Sequence, residues 1–286
     1  MGICTVTGVQ DIHHYAEAMK YADTQLLSNI KVNMKMMGGF LLAAHMSVMV
    51  AVIATIPPKS NSLYDHTKLI FSLFFDSLTT LQFVILQLEL WVRFCYLNDR
   101  LTKAAPVPLT PASLEGVSTS TSPFRLHQLL ESYTSLRRAA QLLQSHFGVP
   151  VAVSVAQSVC CSTCSAYEVL LTQLRPQWAE QLPLSPSVGN SLLWLSYHWL
   201  RLSTVSLTCA AVEHEAANTS ELVLRAAVAS EGRCADLESF LVLVTHGPPL
   251  HFSAAGFFIV NRRLLVSALA IVVTYLIILG QLTPKQ

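Results

Sequence analysis

The feature that most constrains this chain is an uncharged apolar run close to its C-terminus. Leu264–Leu282 contains nineteen consecutive residues without a formal charge. As an α-helix rising about 1.5 Å per residue, the run reaches about 28 Å, close to the ~30 Å hydrocarbon thickness of a bilayer. A helix on the surface of a soluble domain keeps one polar face, and this run has none. The sequence therefore predicts that Leu264–Leu282 spans a membrane.

Four other stretches of the chain have membrane length. They are Met36–Ile56, Leu69–Trp91, Val149–Leu174 and Val188–Val212. Only 12% of the residues are charged and 52% are hydrophobic, whereas an ordinary soluble domain carries about 25% charged residues. We therefore expect an all-α, polytopic membrane protein with five spans and with long helical extensions on the cytoplasmic side.

The basic residues indicate the orientation. With a cytoplasmic N-terminus and five spans, fourteen of the 18 Lys and Arg residues lie on the cytoplasmic side and four lie outside. This distribution follows the positive-inside rule, and the reverse topology contradicts it. The prediction is a multi-pass protein of the plasma membrane with its N-terminus inside and its C-terminus outside.

The segments between the spans are long on the cytoplasmic side, and two of them have helical periodicity. The apolar positions of the first have a spacing of three or four residues; they are Leu126, Leu129, Leu130, Tyr133, Leu136, Ala140, Leu143 and Phe147. This amphipathic helix runs directly into the span Val149–Leu174. The second set is Leu222, Leu224, Val228, Leu237, Leu241 and Val244. Ala104–Pro123 is rich in Pro, Ser and Thr and predicts a linker.

Few residues suggest metal or covalent chemistry. Cys160, Cys161 and Cys164 lie inside a predicted span without a second Cys or His pair nearby, and they are read as packing residues. Cys4, Cys95, Cys209 and Cys234 are expected to be reduced. No catalytic motif is present, and we expect no enzyme activity, cofactor or metal. The net charge of +1 gives no general attraction for nucleic acid.

Three segments resemble parts of the insect gustatory receptor family. The last span carries Thr274 and Tyr275, then five residues, then Gln281 and Leu282, and Gly256-Phe257-Phe258 and Asn261 precede it. Arg93–Leu101 is similar to the segment after the family's fourth span. Leu126–Val153 resembles the helix that leads into its fifth. The order and spacing of the three agree along roughly residues 68–286.

The resemblance implies a division of the chain. Family members have seven spans, so the five predicted here correspond to the third to seventh, and the first two are expected to be missing. The predicted segments are 1–35 (cytoplasmic), 36–97 (first two spans), 98–148 (linker and amphipathic helix), 149–212 (third and fourth spans), 213–263 (cytoplasmic anchor) and 264–286 (last span and extracellular C-terminus).

The resemblance also implies a function. Family members are tastant-gated, non-selective cation channels in which four subunits, identical or related, surround one pore lined by the last span. Carried over to this chain, the constriction falls at Ile278, Gln281 and Leu282, with Thr274 and Tyr275 one turn deeper at helix contacts. From periodicity alone the same stripe is a lipid-facing or packed helix. The alternative function is a truncated, non-conducting membrane subunit that assembles with full-length receptors or inhibits them.

The family binds its tastant in an outward-facing cavity among the spans before the last. Ionisable groups at membrane depth usually face such a cavity or a partner. The resulting pocket candidates are Asp76, Tyr167, Glu168, Trp194, Tyr197 and His198. The alternative is that Asp76 and Glu168 are solvated near the outer interface. Arg201 is expected either to pair with Glu89 or to extend to the inner boundary, and His45 to be a hydrogen-bonded packing residue.

The ligand class is only weakly indicated. Sugar-type members of the family tend to have an acidic residue directly after the Thr-Tyr pair, and this chain has Leu276 there. We therefore expect a small-molecule tastant that is not a sugar.

Overall fold

The computed structural model describes residues 13–21, 31–54, 63–104, 123–174, 188–229 and 235–282. Its elements are α1 (residues 13–21), α2 (Lys31–Ala54), α3 (Leu63–Ala104), α4 (Pro123–Leu174), α5 (Val188–Ala229), α6 (Ala235–His246), β1 (Ser253–Ala254), β2 (Phe258–Ile259) and α7 (Arg262–Leu282). The all-α prediction is confirmed, with one short hairpin that the sequence did not indicate. Cys4, Cys234 and most of the predicted linker lie outside the described residues.

Three helical stretches among the described residues are long and apolar enough to cross a membrane. They are Ile70–Lys103, Leu126–Gln173 and Arg262–Gln281. The other two predicted spans also lie largely in helices, α2 and α5, but α2 contributes only the shorter apolar stretch Ala43–Ala54. Buried polar residues in α5, which include His198 and Arg201, lower its mean hydropathy. The chain is an α-helical membrane protein, and the number of spans stays a prediction.

The helix α4 joins the predicted amphipathic segment to the predicted span without a break. It is 52 residues long and contains Pro150 in its interior. The predicted apolar face packs inward: the residues of that face with at most 9% exposure are Leu126, Tyr133, Leu136, Ala140, Leu143 and Phe147. The expected continuity and the expected face of this helix are both confirmed.

The face predicted for the second cytoplasmic segment is wrong in α5. Leu224 and Val228 are 48% and 76% exposed, whereas Val223 is fully buried. The buried stripe consists of Val212, Ala216, Thr219 and Val223. The hydroxyl of Thr219 donates a hydrogen bond to Oδ1 of Asn98 over 2.7 Å. Because this polar residue occupies an inward position, the helix is rotated away from the face that apolar residues alone predict.

The described residues divide into two compact units, and α3, α4 and α5 contribute to both. The first unit contains α1 and α6 and is held by the rings of Phe94, Tyr133 and Phe240, whose successive centroids lie 6.3 Å and 5.5 Å apart. A polar contact stands beside them: the Asn98 amide donates to Oε2 of Glu215 over 2.9 Å.

A carboxylate in the first unit has a shifted pKa. Burial raises the pKa of Glu213 above its usual value, and the Phe252 N–H, which donates to its carboxylate over 2.9 Å, opposes that shift. His251 lies 3.6 Å from the same carboxylate and acts in the same direction as the N–H group.

The second unit contains α7 and the hairpin. The strands pair antiparallel, with Ala254 opposite Phe258. Ala255 and Gly256 have φ of 51° and 79°, and the N–H of Phe257 donates to the Ala254 carbonyl over 3.0 Å. Positive φ at both central positions is typical of a type I′ turn. The hairpin ends where the Asn261 side chain accepts the N–H of Arg263 over 3.0 Å and caps α7.

Candidate functional site

A buried ion pair lies among three helices of the second unit. The Arg201 guanidinium of α5 donates to both carboxylate oxygens of Asp76 on α3. Its Nε donates to the Thr80 hydroxyl over 3.1 Å, and Nη2 donates to the Ser154 hydroxyl of α4 over 2.6 Å. The side chain of Arg201 is 1% exposed and that of Asp76 is 24% exposed. Arg201 therefore links α3, α4 and α5 through one charged group.

This arrangement corrects the expectation for Arg201. Its partner is Asp76, not Glu89, and the side chain does not extend to a boundary. Glu89 lies 3.5 Å from Arg93 on the same helix. A charge without a partner in a low-dielectric interior is costly, and a bidentate pair with additional hydrogen bonds offsets that cost. Because the two charges neutralise each other, the region around the pair carries no net charge.

An aromatic cluster surrounds one side of the same region. Trp194 stacks on His198 with a centroid distance of 5.9 Å and an interplanar angle of 26°. Tyr197 lies 5.2 Å from His198 and 5.8 Å from His45 of α2. The charged side chains of Arg201 and Asp76 are close enough to both His45 and His198 to interact electrostatically with the two rings. The predicted residues Trp194, Tyr197 and His198 are thus brought together.

Several polar atoms in this cluster are buried without a hydrogen-bond partner among the described residues. They are both ring nitrogens of His198 and Nε2 of His45, whereas the Tyr197 hydroxyl is within hydrogen-bonding reach of the Ser77 hydroxyl. The expectation that the His45 ring is hydrogen-bonded is therefore wrong for Nε2, although the ring does pack. Buried polar groups in native proteins have partners in the large majority of cases. A ligand or ordered water with its own donors and acceptors would satisfy these atoms.

The two other pocket candidates, Tyr167 and Glu168, lie at a different contact between α4 and α5. Glu168 of α4 accepts a hydrogen bond from the Ser191 hydroxyl of α5 over 2.8 Å. Glu168 and its neighbour Tyr167 are both half-buried. Ser191 precedes Trp194 by about one helical turn, so this contact joins α4 to the helix that bears the aromatic cluster.

The pore candidates lie on α7, the least buried of the three candidate membrane spans among the described residues. Only 11% of the apolar stretch of α7 is buried. Ile278 is 43% exposed, and Gln281 is also exposed. Leu282 is the last residue of α7, and its side chain is outside the described residues. Thr274 and Tyr275, expected at helix contacts, are exposed in the single chain.

Some residues of the site gave no usable signal in the sequence. Ser154 and Ser77 are single hydroxyl residues within predicted spans, and nothing in their spacing distinguishes them from packing serines. In the sequence His45 is an isolated polar residue in an apolar span. The one available signal was the pair of opposite charges at Asp76 and Arg201, both at membrane depth.

Comparisons with known proteins agree with this architecture. The family described as 7tm Chemosensory receptor matches residues 17–285. The gustatory receptor for sugar taste 43a of Drosophila melanogaster is 27% identical over 162 residues, which are 54% of this chain and 35% of that receptor. This chain thus spans about a third of that relative's length.

Two solved structures share the fold. The insect olfactory receptor OR5 from Machilis hrabei matches with a TM-score of 0.62 at 16% identity, over 98% of this chain and 78% of that one. The structure of OR5 in complex with eugenol matches with a TM-score of 0.60 at 15% identity, over 98% and 82%.

The fold is that of an α-helical membrane protein. The chain belongs to the 7tm chemosensory receptor family, which is a family of receptors and not of enzymes. The predicted resemblance to insect gustatory receptors is confirmed at the level of this family.

Proposed function

We propose that this chain is a subunit of a tastant-gated, non-selective cation channel of the plasma membrane. Its family membership and its gustatory relative support this function. In the proposed arrangement four subunits, identical or related, surround one pore. Residues 213–263 belong to a cytoplasmic anchor, and residues 264–286 contain the pore-lining helix and an extracellular C-terminus.

The observation that carries the ligand site is the set of buried, unpartnered polar atoms beside the Trp194–His198 stack. Small-molecule sites combine aromatic surface with a few precisely placed polar groups. His198 alone offers two ring nitrogens, one as donor and one as acceptor when the ring is neutral. The tastant in this proposal contacts the Trp194, Tyr197 and His198 group.

The electrostatics of this region favour an uncharged ligand. Arg201 and Asp76 neutralise each other, so neither a cation nor an anion is attracted. The unpartnered atoms favour a molecule with several hydroxyl or amide groups. Leu276 favours a non-sugar tastant, whereas the Drosophila relative is named for sugar taste. Sugars and non-sugar tastants of this kind share one chemistry, because both are small, neutral molecules that form hydrogen bonds. The test therefore includes both classes.

The exposure of α7 supports the proposed pore. Only 11% of the apolar stretch of α7 is buried. The rest of its apolar surface must be covered by lipid or by other protein. In a four-fold assembly, Ile278 and Leu282 would form an apolar constriction that closes by dewetting, and Gln281 would add a polar ring. The three positions share one helical face at i, i+3 and i+4.

The test is electrical recording from cells that express the chain alone or together with a full-length gustatory relative. The ligand panel contains uncharged sugars, polyols and heteroaromatic alkaloids. We expect His198→Phe, which retains a ring but removes both nitrogens, to raise the half-maximal concentration of the active ligand about tenfold or more, since each lost hydrogen bond is worth roughly 1 kcal/mol. His214→Phe is the matched control, because His214 is exposed in the other unit.

A separate substitution, Gln281→Ala, tests the assignment of α7 to the pore. Gln281→Ala should change conductance or ion selectivity and leave the half-maximal concentration unaltered, because Gln281 is proposed to contact ions and not the tastant. Gln82→Ala is its control, since Gln82 is an exposed residue of α3. Unchanged currents in Gln281→Ala would remove α7 from the pore.

A non-conducting subunit is the alternative outcome. It predicts no current from the chain alone and a reduced or altered current when a full-length relative is present. If neither expression condition gives a ligand response that His198→Phe alters, the proposed tastant site is wrong.

A further inference from the structure

A cavity of the second unit lies between α4 and α7, and none of the residues of the Trp194–His198 cluster lines it. Its volume is about 820 Å³. The α4 side contributes small and apolar residues, which include Ala156, Cys160 and Cys164, and the α7 side contributes Ser267 and Ile271 among others. Cys160, Cys164, Ser267 and Ile271 are exposed. The cavity is therefore an open groove with an apolar surface.

The length of the groove matches one leaflet of a bilayer. Along α7 the lining residues run from Leu264 to Tyr275, which is about 16 Å at 1.5 Å per residue. Half of the ~30 Å hydrocarbon core is about 15 Å. Both walls are helical stretches long and apolar enough to span a membrane, so the groove lies where lipid chains are available.

One end of the groove is lined by a positively charged side chain, Arg263. Arg263 and the amide-bearing Asn261 line this end, next to the hairpin residues Phe258 and Ile259. Arg263 is exposed, and no carboxylate of the described residues lies within 4.0 Å of it. An unpaired guanidinium at the end of an apolar channel is complementary to a phosphate attached to a hydrocarbon tail.

We propose that this groove is a specific binding site for one glycerophospholipid. Its acyl chain lies between α4 and α7, and its phosphate accepts hydrogen bonds from Arg263. A flexible acyl chain can follow an open groove of about 820 Å³, and the guanidinium at its end is complementary to a lipid phosphate rather than to the apolar face of a second helix.

The site has a consequence for α7. A lipid in this groove fills the space between α4 and the helix face that includes Ile271 and Tyr275. It therefore supports α7 from the side without any contact to the Trp194–His198 cluster. Ile271 and Tyr275 lie on the same stripe of α7 as the proposed constriction residues Ile278 and Leu282, so the lipid would occupy the inner part of that stripe. Lipid binding to the purified chain is measured without any ion current.

The experiment uses the purified full chain in detergent and measures retained lipid by native mass spectrometry. The probes are palmitoyl-oleoyl phosphatidylserine and the corresponding diacylglycerol, which lacks the phosphate. We expect one phosphatidylserine per chain, with affinity at least about tenfold higher than for diacylglycerol, since a charge-assisted hydrogen bond is worth about 1.5 kcal/mol or more. Equal retention of the two lipids would overturn the phosphate assignment.

Neighbouring residues supply matched controls. Arg263→Gln should lower phosphatidylserine affinity about tenfold, whereas Arg262→Gln should not, because Arg262 does not line the groove. Ser267→Trp should fill the groove and abolish binding, whereas Val266→Trp should not, because Val266 is 70% exposed and lies outside it. Equal losses within either pair would contradict the site. Circular dichroism checks the helicity of each variant, and the Arg263 variant keeps the test valid if a Trp variant misfolds.

The groove cysteines give an independent measurement. Maleimide should label Cys160 and Cys164 more slowly when phosphatidylserine is present, and Ser267→Trp should remove the effect of the lipid. If protection instead increases with protein concentration and is independent of lipid, a second copy of the chain covers the groove and the proposal fails.

Discussion

The two residues of the Asp76–Arg201 pair are unequally buried, so their removal has unequal consequences. Without Asp76, the guanidinium would stay in a site where its side chain is 1% exposed. Without Arg201, the remaining carboxylate would be in a position that is 24% exposed and could be partly solvated. Loss of one partner of a buried pair costs roughly 3–5 kcal/mol, mainly because the other charge is left uncompensated.

We therefore predict that Asp76→Asn lowers the unfolding free energy by about 3 kcal/mol or more and by more than Arg201→Met does. The double variant should recover part of the loss, because it leaves no unpaired charge. SDS-induced unfolding in mixed micelles measures all three. Additive losses in the double variant would show that the pair is not coupled.

The exposed pair Arg225–Glu221 is the control for this prediction. Its side chains are 64% and 58% exposed. Exposed pairs at i and i+4 contribute only about 0.3–0.5 kcal/mol. Glu221→Gln should accordingly change the unfolding free energy by less than about 0.5 kcal/mol in the same measurement.

These residues show what the sequence could and could not provide. The presence of Asp76 and Arg201 at membrane depth indicated that each needs a partner, but sequence distance gave no information on which one. Glu89 was an equally charged choice on the same helix as Asp76. The pairing depends on how α3 is rotated against α5. That rotation is set by the packing of the folded helices and cannot be read from the spacing of residues along the sequence.

At the scale of elements, the hairpin and α4 approach each other closely at Gly148. A Cβ at this position would lie 3.1 Å from the backbone N of Ala255 and 3.5 Å from its Cα. The neighbouring atoms are backbone atoms of a turn whose φ is already positive at Ala255, so they cannot move without cost. Gly148 is thus the position that permits the hairpin to pack on the helix.

We predict that Gly148→Ala destabilises the protein relative to Gly39→Ala. Both substitutions are in helices, where alanine is favoured over glycine by about 0.5–1 kcal/mol. A Cβ at Gly39 meets nothing within 4 Å, so this variant should be neutral or stabilised. The difference between the two variants in thermal unfolding measures the helix–hairpin contact. An equal change in both would show that the contact does not constrain Gly148.

Elements differed in how well the sequence predicted them. The 3-4 spacing from Leu126 to Phe147 predicted the helix and its buried face, because most of the buried residues of that face are apolar. In α5 the buried stripe includes Thr219, which is hydrogen-bonded to Asn98, and this stripe is offset by one residue from the predicted apolar face. The hairpin was missed because two-residue strands are shorter than any period-2 pattern that could be recognised.

At the scale of the whole molecule, α7 is apolar but has few contacts within the chain. Its exposed side chains include Val266, Leu269, Ile271, Val273, Tyr275, Ile277 and Ile278. In water such a surface would be an aggregation site, whereas in a bilayer it is solvated by lipid or covered by neighbouring subunits. This surface is consistent with the sequence-based prediction that residues 264–282 cross the membrane.

The orientation of the chain can be tested with one reporter on each side of the last three predicted spans. The natural sequon at Asn218 is a poor reporter, because Thr219 of this sequon is fully buried in α5, so an unmodified Asn218 would fit either orientation. Epitope tags are better. We place one tag after Gln286 and another between Val117 and Ser118, in the Pro/Ser/Thr-rich segment.

The positive-inside distribution predicts that an antibody reaches the tag after Gln286 on intact cells and the tag after Val117 only after permeabilisation. An odd number of crossings between these two sites is required for that result, and the three predicted spans from Val149 to Leu282 supply it. If both tags become accessible together, one of these three spans does not cross, and α5, with its buried His198 and Arg201, is the first to reconsider. If the pattern is reversed, the N-terminus is outside and the proposed extracellular side of the tastant site is wrong.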